Sequence, residues 1–125
     1  MKAIVSLFIL VFSFSVFNTV HAQNQEAAKT DKKVTTSEFK VSGVCSMCKD
    51  RIEKAALIKG VKFAEWTKET QMLKVIYKKG KVKEDDIHKA LAKAGHDTEK
   101  AKAENAVYDK LPFCCGYREE GAKVH

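Results

Sequence analysis

Alternating apolar and polar positions predict four strands, one of them weakly. The segment SEFKVSG places Phe39 and Val41 on one face, which predicts a strand at about 37–42. The segments VKFAEWT and MLKVIYK alternate in the same way, and the polar link KET between them predicts a tight antiparallel hairpin. After Gly95 the segment HDTEKAKA has a weaker pattern, which predicts the fourth strand.

Two other segments have the apolar spacing of amphipathic helices. Residues 48–58 are rich in helix formers, and Gly60 marks the end of that helix. The segment KEDDIHKALAKAG has acidic residues in its first turn, lysines later and Gly95 at the C-cap position. The apolar residues that share a face are Ile52, Ala55 and Ala56 in the first helix and Ile87, Ala90, Leu91 and Ala94 in the second.

The predicted order of elements is strand, helix, strand, strand, helix, strand. A four-stranded antiparallel sheet with two helices on one face is the α+β, ferredoxin-like β-α-β-β-α-β sandwich. The segment ENAVYDKL adds a short helical turn before Pro112, and the following PFCCGYREEGAKVH has no periodicity. The sequence therefore predicts this sandwich with a cysteine-containing C-terminal tail.

The first 22 residues have the layout of a cleaved secretory signal peptide. Lys2 precedes an apolar run over residues 3–17, and small residues end the segment at Ala22. The apolar run is shorter than the stretch of about 20 residues that a membrane-spanning helix needs. We therefore predict cleavage after Ala22, export across the inner membrane to the periplasm, and no stable membrane insertion of the mature chain.

The remainder of the chain divides into three parts. Residues 23–35 are polar, lack aromatic side chains and predict a flexible leader. Residues 36–103 contain the predicted sandwich, and residues 104–125 form a C-terminal extension with the adjacent Cys114 and Cys115. A mature chain of this length holds one small domain.

Charge and composition exclude several classes of function. The formal net charge of +7 comes mostly from lysines interspersed with acidic residues, and arginine occurs only at Arg51 and Arg118. Nucleic-acid sites tend to cluster arginine with exposed aromatic residues, so we expect no nucleic-acid partner. The sequence shows no Ser-His-Asp set, glycine-rich phosphate loop or carboxylate pair that would indicate an enzyme.

Cys45 and Cys48 form a Cys-x-x-Cys motif where the first strand gives way to the first helix. Cys45 falls in the loop and Cys48 in the first helical turn, where free backbone N–H groups favour the thiolate and lower the thiol pKa. Two such thiolates suit Cu(I), Zn(II) and other thiophilic ions, but disulfide oxidoreductases place the same motif at a helix start. The order of elements, and a single proline at Pro112 in the tail, argue against a thioredoxin-like fold and favour metal binding.

The stretch from VSGVCSMCKD to ALAKAGHD resembles the heavy-metal-associated domain of copper chaperones, metal-pumping ATPases and periplasmic mercury-binding proteins. The resemblance covers residues 36–103 and includes the cysteine pair, KGV after the first helix and ALAKAGHD. It implies that Cys45 and Cys48 hold a heavy-metal ion on an exposed loop, foremost Cu(I), with Zn(II) or Hg(II) as alternatives. It also implies transfer by ligand exchange to a metal-transporting ATPase or another acceptor, and a metal-bridged dimer is compatible with it. Gly43 stands where the family has a methionine that packs beneath the loop.

Three further residues are candidate metal ligands. His96 is either a third ligand or a histidine hydrogen-bonded to Asp97 or to the backbone. A disulfide between the neighbours Cys114 and Cys115 would be strained. These two thiols complete a four-thiolate site with the first pair, form a second binding point, or crosslink to that pair when oxidised. Met47 is expected at the surface, where its thioether is a weak soft donor.

The sequence leaves three functions open. The leading hypothesis is an exported, non-enzymatic protein that captures a thiophilic ion, foremost Cu(I), and transfers or sequesters it. The first alternative is a small thiol-disulfide redox protein whose two cysteine pairs exchange oxidation state. The second is an interaction domain stapled by disulfides, which four cysteines in an exported chain also allow.

Overall fold

The structure is a computed structural model that describes residues 33–125. The predicted signal peptide over 1–22 and the predicted leader up to residue 32 lie outside the described residues. The elements are β1 (Val34–Lys40), α1 (Ser46–Ala56), β2 (Val61–Thr67), β3 (Met72–Lys78), α2 (Glu84–Lys93) and α3 (Asn105–Tyr108), followed by a 3₁₀-helix at Phe113–Cys115. Within the described part of the chain, no helix is long and apolar enough to cross a membrane.

The three strands form one antiparallel sheet in the order β1-β3-β2. In the central strand β3, Leu73 is paired with Phe39 of β1 and with Trp66 of β2. The hairpin between β2 and β3 turns through Gln71, whose φ of 58° is left-handed. The predicted hairpin and the order of the first five elements are confirmed, and β1 begins at Val34, three residues before the predicted strand.

The predicted fourth strand is wrong, because the segment after Gly95 contributes only a single bridge between Val41 and Thr98. Beyond this bridge the chain turns. The Thr98 N–H donates to the Ala101 carbonyl at 2.7 Å, and the Thr98 hydroxyl accepts the Ala101 N–H at 2.9 Å. Threonine hydroxyls that bond nearby backbone groups compete in this way with an extended ladder. The sheet in the described residues therefore has three strands.

The apolar faces of the sheet and of both long helices meet in one core. α1 packs against β2 and α2, and the largest fully buried side chain is Trp66. Burial of a large apolar side chain contributes about 1.5–3 kcal/mol to folding. The other large residues of this core are Phe39, Val41, Ile52, Leu73, Val75, Tyr77, Ile87 and Leu91. The faces predicted from the apolar spacing of the two helices and the hairpin are thus the ones that pack.

Gly95 ends α2 and also admits the C-terminal extension. Its φ of 98° is left-handed, as predicted for a C-cap glycine. A Cβ at this position would lie 2.8 Å from Leu111 Cδ2 in the extension. Leu111 therefore packs against the end of α2 at a distance that only glycine allows.

The C-terminal extension folds back onto the domain through polar contacts. The Tyr117 hydroxyl donates to the Gly95 carbonyl at 2.6 Å and accepts the Asp97 N–H at 3.0 Å. The Arg118 guanidinium donates to both carboxylate oxygens of Asp97, at 2.9 Å and 2.6 Å. The short helical turn predicted before Pro112 is confirmed as α3. The segment without hydrophobic periodicity is thus attached by hydrogen bonds and one ion pair, in addition to the packing of Leu111, Cys115 and Tyr117 against the core.

Candidate metal centre

The first two thiols are placed by the start of α1. Cys45 is the N-cap residue of this helix, with extended backbone angles, and its sulfur accepts the Cys48 N–H at 3.4 Å. Cys48 lies in the first turn, as predicted. The two sulfur atoms are 3.3 Å apart, so the helix start itself brings this pair together.

The C-terminal extension brings the other two thiols to the same place. The 3₁₀-helix at Phe113–Cys115 sets the Cys115 sulfur 3.5 Å and the Cys114 sulfur 3.7 Å from the sulfur of Cys45. The sulfur atoms of Cys45, Cys48 and Cys115 all lie within 4.8 Å of one another, and Cys114 is outside this group. All four cysteines are free thiols.

The spacing of the inner three thiols, Cys45, Cys48 and Cys115, suits a single small ion. Three sulfurs around one ion at about 2.3 Å are about 4.0 Å apart in a trigonal plane and about 3.8 Å apart in a tetrahedron. The separations of 3.3 Å and 3.5 Å from the Cys45 sulfur are shorter than these values by about 0.3–0.7 Å. The three sulfurs are therefore close to the spacing that one bound ion requires.

The cysteine loop is covered, whereas the family resemblance implied an exposed one. Cys45 is 4% exposed, and Cys48 and Cys115 are fully buried. The extension covers the loop, and the last residue adds a contact in which the His125 N–H donates to the Val44 carbonyl at 2.8 Å. The expectation failed because the tail has no periodicity from which its docking could be inferred.

The thiols differ in acidity because their surroundings differ. Burial by itself raises the pKa of Cys45, but hydrogen bonds with Cys48, Cys115 and Cys114 lower it to about 7. Burial raises the pKa of Cys48 above its usual value, so the lowering expected at a helix start applies to Cys45 and not to Cys48. Burial also raises the pKa of Cys115, and its thiol neighbours raise it further. One of the three thiols is therefore ready to act as a thiolate near neutral pH.

His96 supports the loop and lies outside the thiol group. Its ring is fully buried, and the Nδ1–H donates a hydrogen bond to the Ser42 carbonyl at 2.8 Å. The ring stacks on Tyr117 with centroids 5.6 Å apart, and burial lowers the pKa of the imidazole. The structure thus has the backbone-bonded arrangement, and the only group of three candidate ligands in the described residues does not include His96.

Solved structures match the chain, whereas no protein-family model and no curated protein matches it significantly. A copper-binding domain from HMA7, a P-type ATPase, is 27% identical, covers 51% of this chain and 89% of its own, and has a TM-score of 0.50. A putative copper-ion-binding protein from Bacillus anthracis str. Ames is 20% identical over 53% of this chain and 96% of its own, also with a TM-score of 0.50. The CopZ metallochaperone is 29% identical, covers 51% of this chain and 98% of its own, and has a TM-score of 0.49.

The likeness to the HMA7 domain extends from the fold to the sequence. The chain thus resembles heavy-metal-associated domains in fold and in sequence. Its heavy-metal-associated-like domain has the α+β architecture predicted from the hydrophobic pattern, with three strands in place of four. The matched structures cover about half of the chain.

Trp66 fills the space beneath the cysteine loop of this heavy-metal-associated-like domain. A Cβ at Gly43 would lie 3.0 Å from Trp66 Cζ2 and 3.0 Å from Cys48 Cβ. The indole N–H donates to the Val41 carbonyl at 3.0 Å, which fixes the ring in this position. A methionine at position 43 has no room here. A small residue at position 43 together with a tryptophan at position 66 is the sequence feature that could have indicated this packing.

Two more residues contact the thiols: Arg51, which the sequence analysis did not place in the site, and Met47, which was expected at the surface. Arg51, one helical turn after Cys48, donates from Nη1 to the Cys115 sulfur at 3.5 Å. Met47 is half exposed, and the Cys114 thiol donates to its sulfur at 3.4 Å. Arg51 and Cys115 are 64 residues apart in the sequence, and Met47 and Cys114 are 67 residues apart. No local pattern therefore indicates either contact.

Proposed function

We propose that this protein captures a thiophilic ion, Cu(I), and then transfers or sequesters it. The observation that carries the proposal is the group of three sulfur atoms, from Cys45, Cys48 and Cys115, within 4.8 Å of one another. The likeness to the copper-binding domain of a P-type ATPase supports the same conclusion. The role is that of a metal-binding protein and not of an enzyme.

The number of ligands favours Cu(I) over Zn(II). Structural Zn(II) sites are almost always tetrahedral with four protein ligands, whereas soft thiolates select Cu(I). The inner three thiols offer three sulfurs, and neither His96 nor Cys114 belongs to their group. Hg(II) is also thiophilic and is the second ion to test.

Capture begins at Cys45 and ends with the other two thiols. Cys45 has the lowest pKa of the three and supplies the first thiolate. Cys48 and Cys115, whose pKa values are raised, release their protons as the ion replaces them. Three thiolates around one Cu(I) leave a net negative charge, which the Arg51 guanidinium beside Cys115 offsets.

The domain boundaries proposed from the sequence fit this role. We propose a signal peptide over 1–22, a leader over 23–35, a heavy-metal-associated domain over 36–103 and an extension over 104–125. The domain carries Cys45 and Cys48, and the extension carries Cys114 and Cys115. Export to the periplasm places the protein where a metal-transporting ATPase or another exported metal-binding protein is the acceptor.

A competition titration tests the proposal. The full-length chain is expressed, purified, reduced without oxygen and titrated with Cu(I) against a coloured Cu(I) chelator. We expect the double variant Cys45→Ser, Cys48→Ser to lose at least 100-fold in Cu(I) affinity, because two of three thiolates are gone. Ser46→Ala, between the two cysteines and exposed, is the matched control and retains wild-type binding. Unchanged stoichiometry and affinity in the double variant would refute the proposal.

A thiol-disulfide redox protein is the second candidate function. It is favoured by one observation: Cys45, with a pKa of about 7, lies within 3.7 Å of the other three cysteine sulfurs. This function requires a defined reduction potential and turnover with a dithiol partner in the absence of metal. Measuring bound metal and free thiols on one sample, isolated without oxygen from its own compartment, separates the two. Bound Cu(I) with four free or metal-bound thiols supports capture, and a metal-free disulfide supports redox exchange.

A further inference from the structure

Two sulfur side chains next to the inner three thiols have no part in the proposed capture site. The Cys114 sulfur is 3.4 Å from the Met47 sulfur and 3.7 Å from the Cys45 sulfur. Met47 is half exposed and Cys114 is partly exposed, in contrast to the buried inner thiols. A second set of soft donors thus lies on the solvent side of the first.

The local helical geometry keeps the two sets apart. In a 3₁₀-helix neighbouring side chains diverge by about 120°, so Cys115 points inward and Cys114 points along the surface. The Cys115 N–H donates to the Pro112 carbonyl at 2.8 Å, which holds this turn. In α1 neighbours diverge by about 100°, which separates Met47 from Cys48 in the same manner. Each pair of neighbours therefore gives one sulfur to the inner set and one to the outer set.

We propose that Met47 and Cys114, together with Cys45, form a second soft-metal site, so that one chain binds two Cu(I) ions with Cys45 as the shared ligand. Thiolate and thioether sulfurs both select Cu(I). Ligands at about 2.3 Å from one ion can lie up to about 4.6 Å apart, and the separations of 3.4 Å and 3.7 Å meet this limit. The inference rests on the proposed function, since it requires Cu(I) at Cys45.

The outer site is the point at which an ion enters. The inner three thiols are at most 4% exposed, so an incoming ion meets Met47 and Cys114 first. An ion held there already has Cys45 as a ligand. To move inward it exchanges the sulfurs of Cys114 and Met47 for those of Cys48 and Cys115. Copper remains Cu(I), and the protons leaving Cys48 and Cys115 pass to the released Cys114 thiolate and to solvent.

Counting ions per chain tests this site. The purified, reduced protein is titrated with Cu(I), and native mass spectrometry counts the copper ions on the monomer. We expect two ions on the wild type and one on Cys114→Ser, with the affinity of the remaining ion within about threefold of the wild-type inner site. Met47→Leu conserves side-chain volume and weakens the second ion alone. Phe113→Ser, fully exposed and next to Cys114, is the control and retains two ions.

The outcomes distinguish this inference from the proposed function. A wild type that binds one ion, or a Cys114→Ser variant that still binds two, overturns the second site while the inner site stands. Weaker binding of a single ion in Cys114→Ser also overturns it, because Cys114 would then belong to one common site. Loss of all Cu(I) binding only in Cys45→Ser, Cys48→Ser supports the proposed function. Absence of Cu(I) binding in the wild type refutes both the second site and the proposed function.

Discussion

Cys45 and Cys48 belong to one short motif, yet their environments shift their thiol pKa values in opposite directions. The Cys45 sulfur caps α1 and receives hydrogen bonds that lower its pKa to about 7, whereas burial raises the pKa of Cys48. A helix start favours a thiolate, but full burial of Cys48 outweighs that effect. The acidity of each thiol is therefore set by its own environment and not by the motif.

Position 43 requires glycine because Trp66 packs closely against it under the loop. We predict that Gly43→Ala destabilises the fold by about 1–3 kcal/mol, the usual cost of overpacking a well-filled core. The added Cβ would lie 3.0 Å from both Trp66 Cζ2 and Cys48 Cβ. Urea denaturation followed by tryptophan fluorescence measures the loss.

Gly80→Ala is the control for this prediction, because nothing lies within 4 Å of a Cβ built at Gly80. We expect the free energy of unfolding of this variant to equal that of the wild type or to rise slightly, since alanine restricts the unfolded chain. Equal stability of the two variants would contradict the packing argument.

The segment after α2 does not form the predicted fourth strand, and the same segment is where the extension docks. The Asp97 N–H bonds the Tyr117 hydroxyl, and the Asp97 carboxylate binds Arg118. The turn that begins at Thr98 ends strand pairing at that point. The segment after α2 therefore serves as a docking surface for the extension.

Docking of the extension depends on the charge of Asp97. Burial alone would raise the pKa of this carboxyl, but the hydrogen bonds from Arg118 and the Ala103 N–H hold it below its usual value. A carboxyl with a lowered pKa in the folded state contributes stability above its unfolded pKa of about 4. That contribution is lost as the pH falls from about 4 through the lower, folded value.

We therefore predict a pH-dependent difference between the wild type and Asp97→Asn. At pH 7 we expect the wild type to be more stable by about 1–2 kcal/mol, because hydrogen bonds to a charged group are stronger than those to an amide. The difference shrinks as the pH falls below about 4, where the wild-type carboxyl takes up a proton. Urea unfolding curves recorded across this pH range measure the difference in stability. Asp109→Asn, at an exposed position, shows no such trend, and a difference that is constant with pH would exclude the ion pair as its source.

For the whole molecule, the thiol group joins parts of the chain that are distant in sequence. Cys45 and Cys115 are separated by 70 residues, and their sulfurs are 3.5 Å apart. An ion bound by both crosslinks the start of α1 to the C-terminal extension. Capture of an ion, as proposed, therefore adds a crosslink to the contacts that already dock the extension.

We predict that Cu(I) protects the extension from proteolysis only when the extension carries its thiols. Ligand at about 1,000 times its Kd adds about 4 kcal/mol to the stability of the state that binds it. With Cu(I), trypsin cleavage after Arg118 should slow at least tenfold in the wild type and remain unchanged in the double variant Cys114→Ser, Cys115→Ser. Cys114→Ser alone is the matched control and keeps the protection, since the inner three thiols are intact. Equal protection of the wild type and the double variant would show that the extension does not share the ion.

The sequence by itself determined the elements whose signals are local. The alternation in β1 and the hairpin, the apolar spacing in both long helices and the left-handed glycine after α2 lie within short windows, and each is found in the structure. The placement of Cys45 and Cys48 at the start of α1 is local in the same sense. Their closeness therefore follows from backbone geometry that a few residues define.

Tertiary structure alone decided the rest. The extension has no hydrophobic period, because isolated hydrogen bonds from Tyr117 and Arg118 and a few single apolar contacts dock it, and such contacts leave no repeating pattern. The raised pKa of Cys48 comes from burial, and the approach of Cys115 and of the Cys114 and Met47 pair comes from chain segments more than 60 residues apart. These properties depend on which surfaces meet after folding. The physical reason is that burial and long-range proximity belong to the packed chain and not to any short stretch of it.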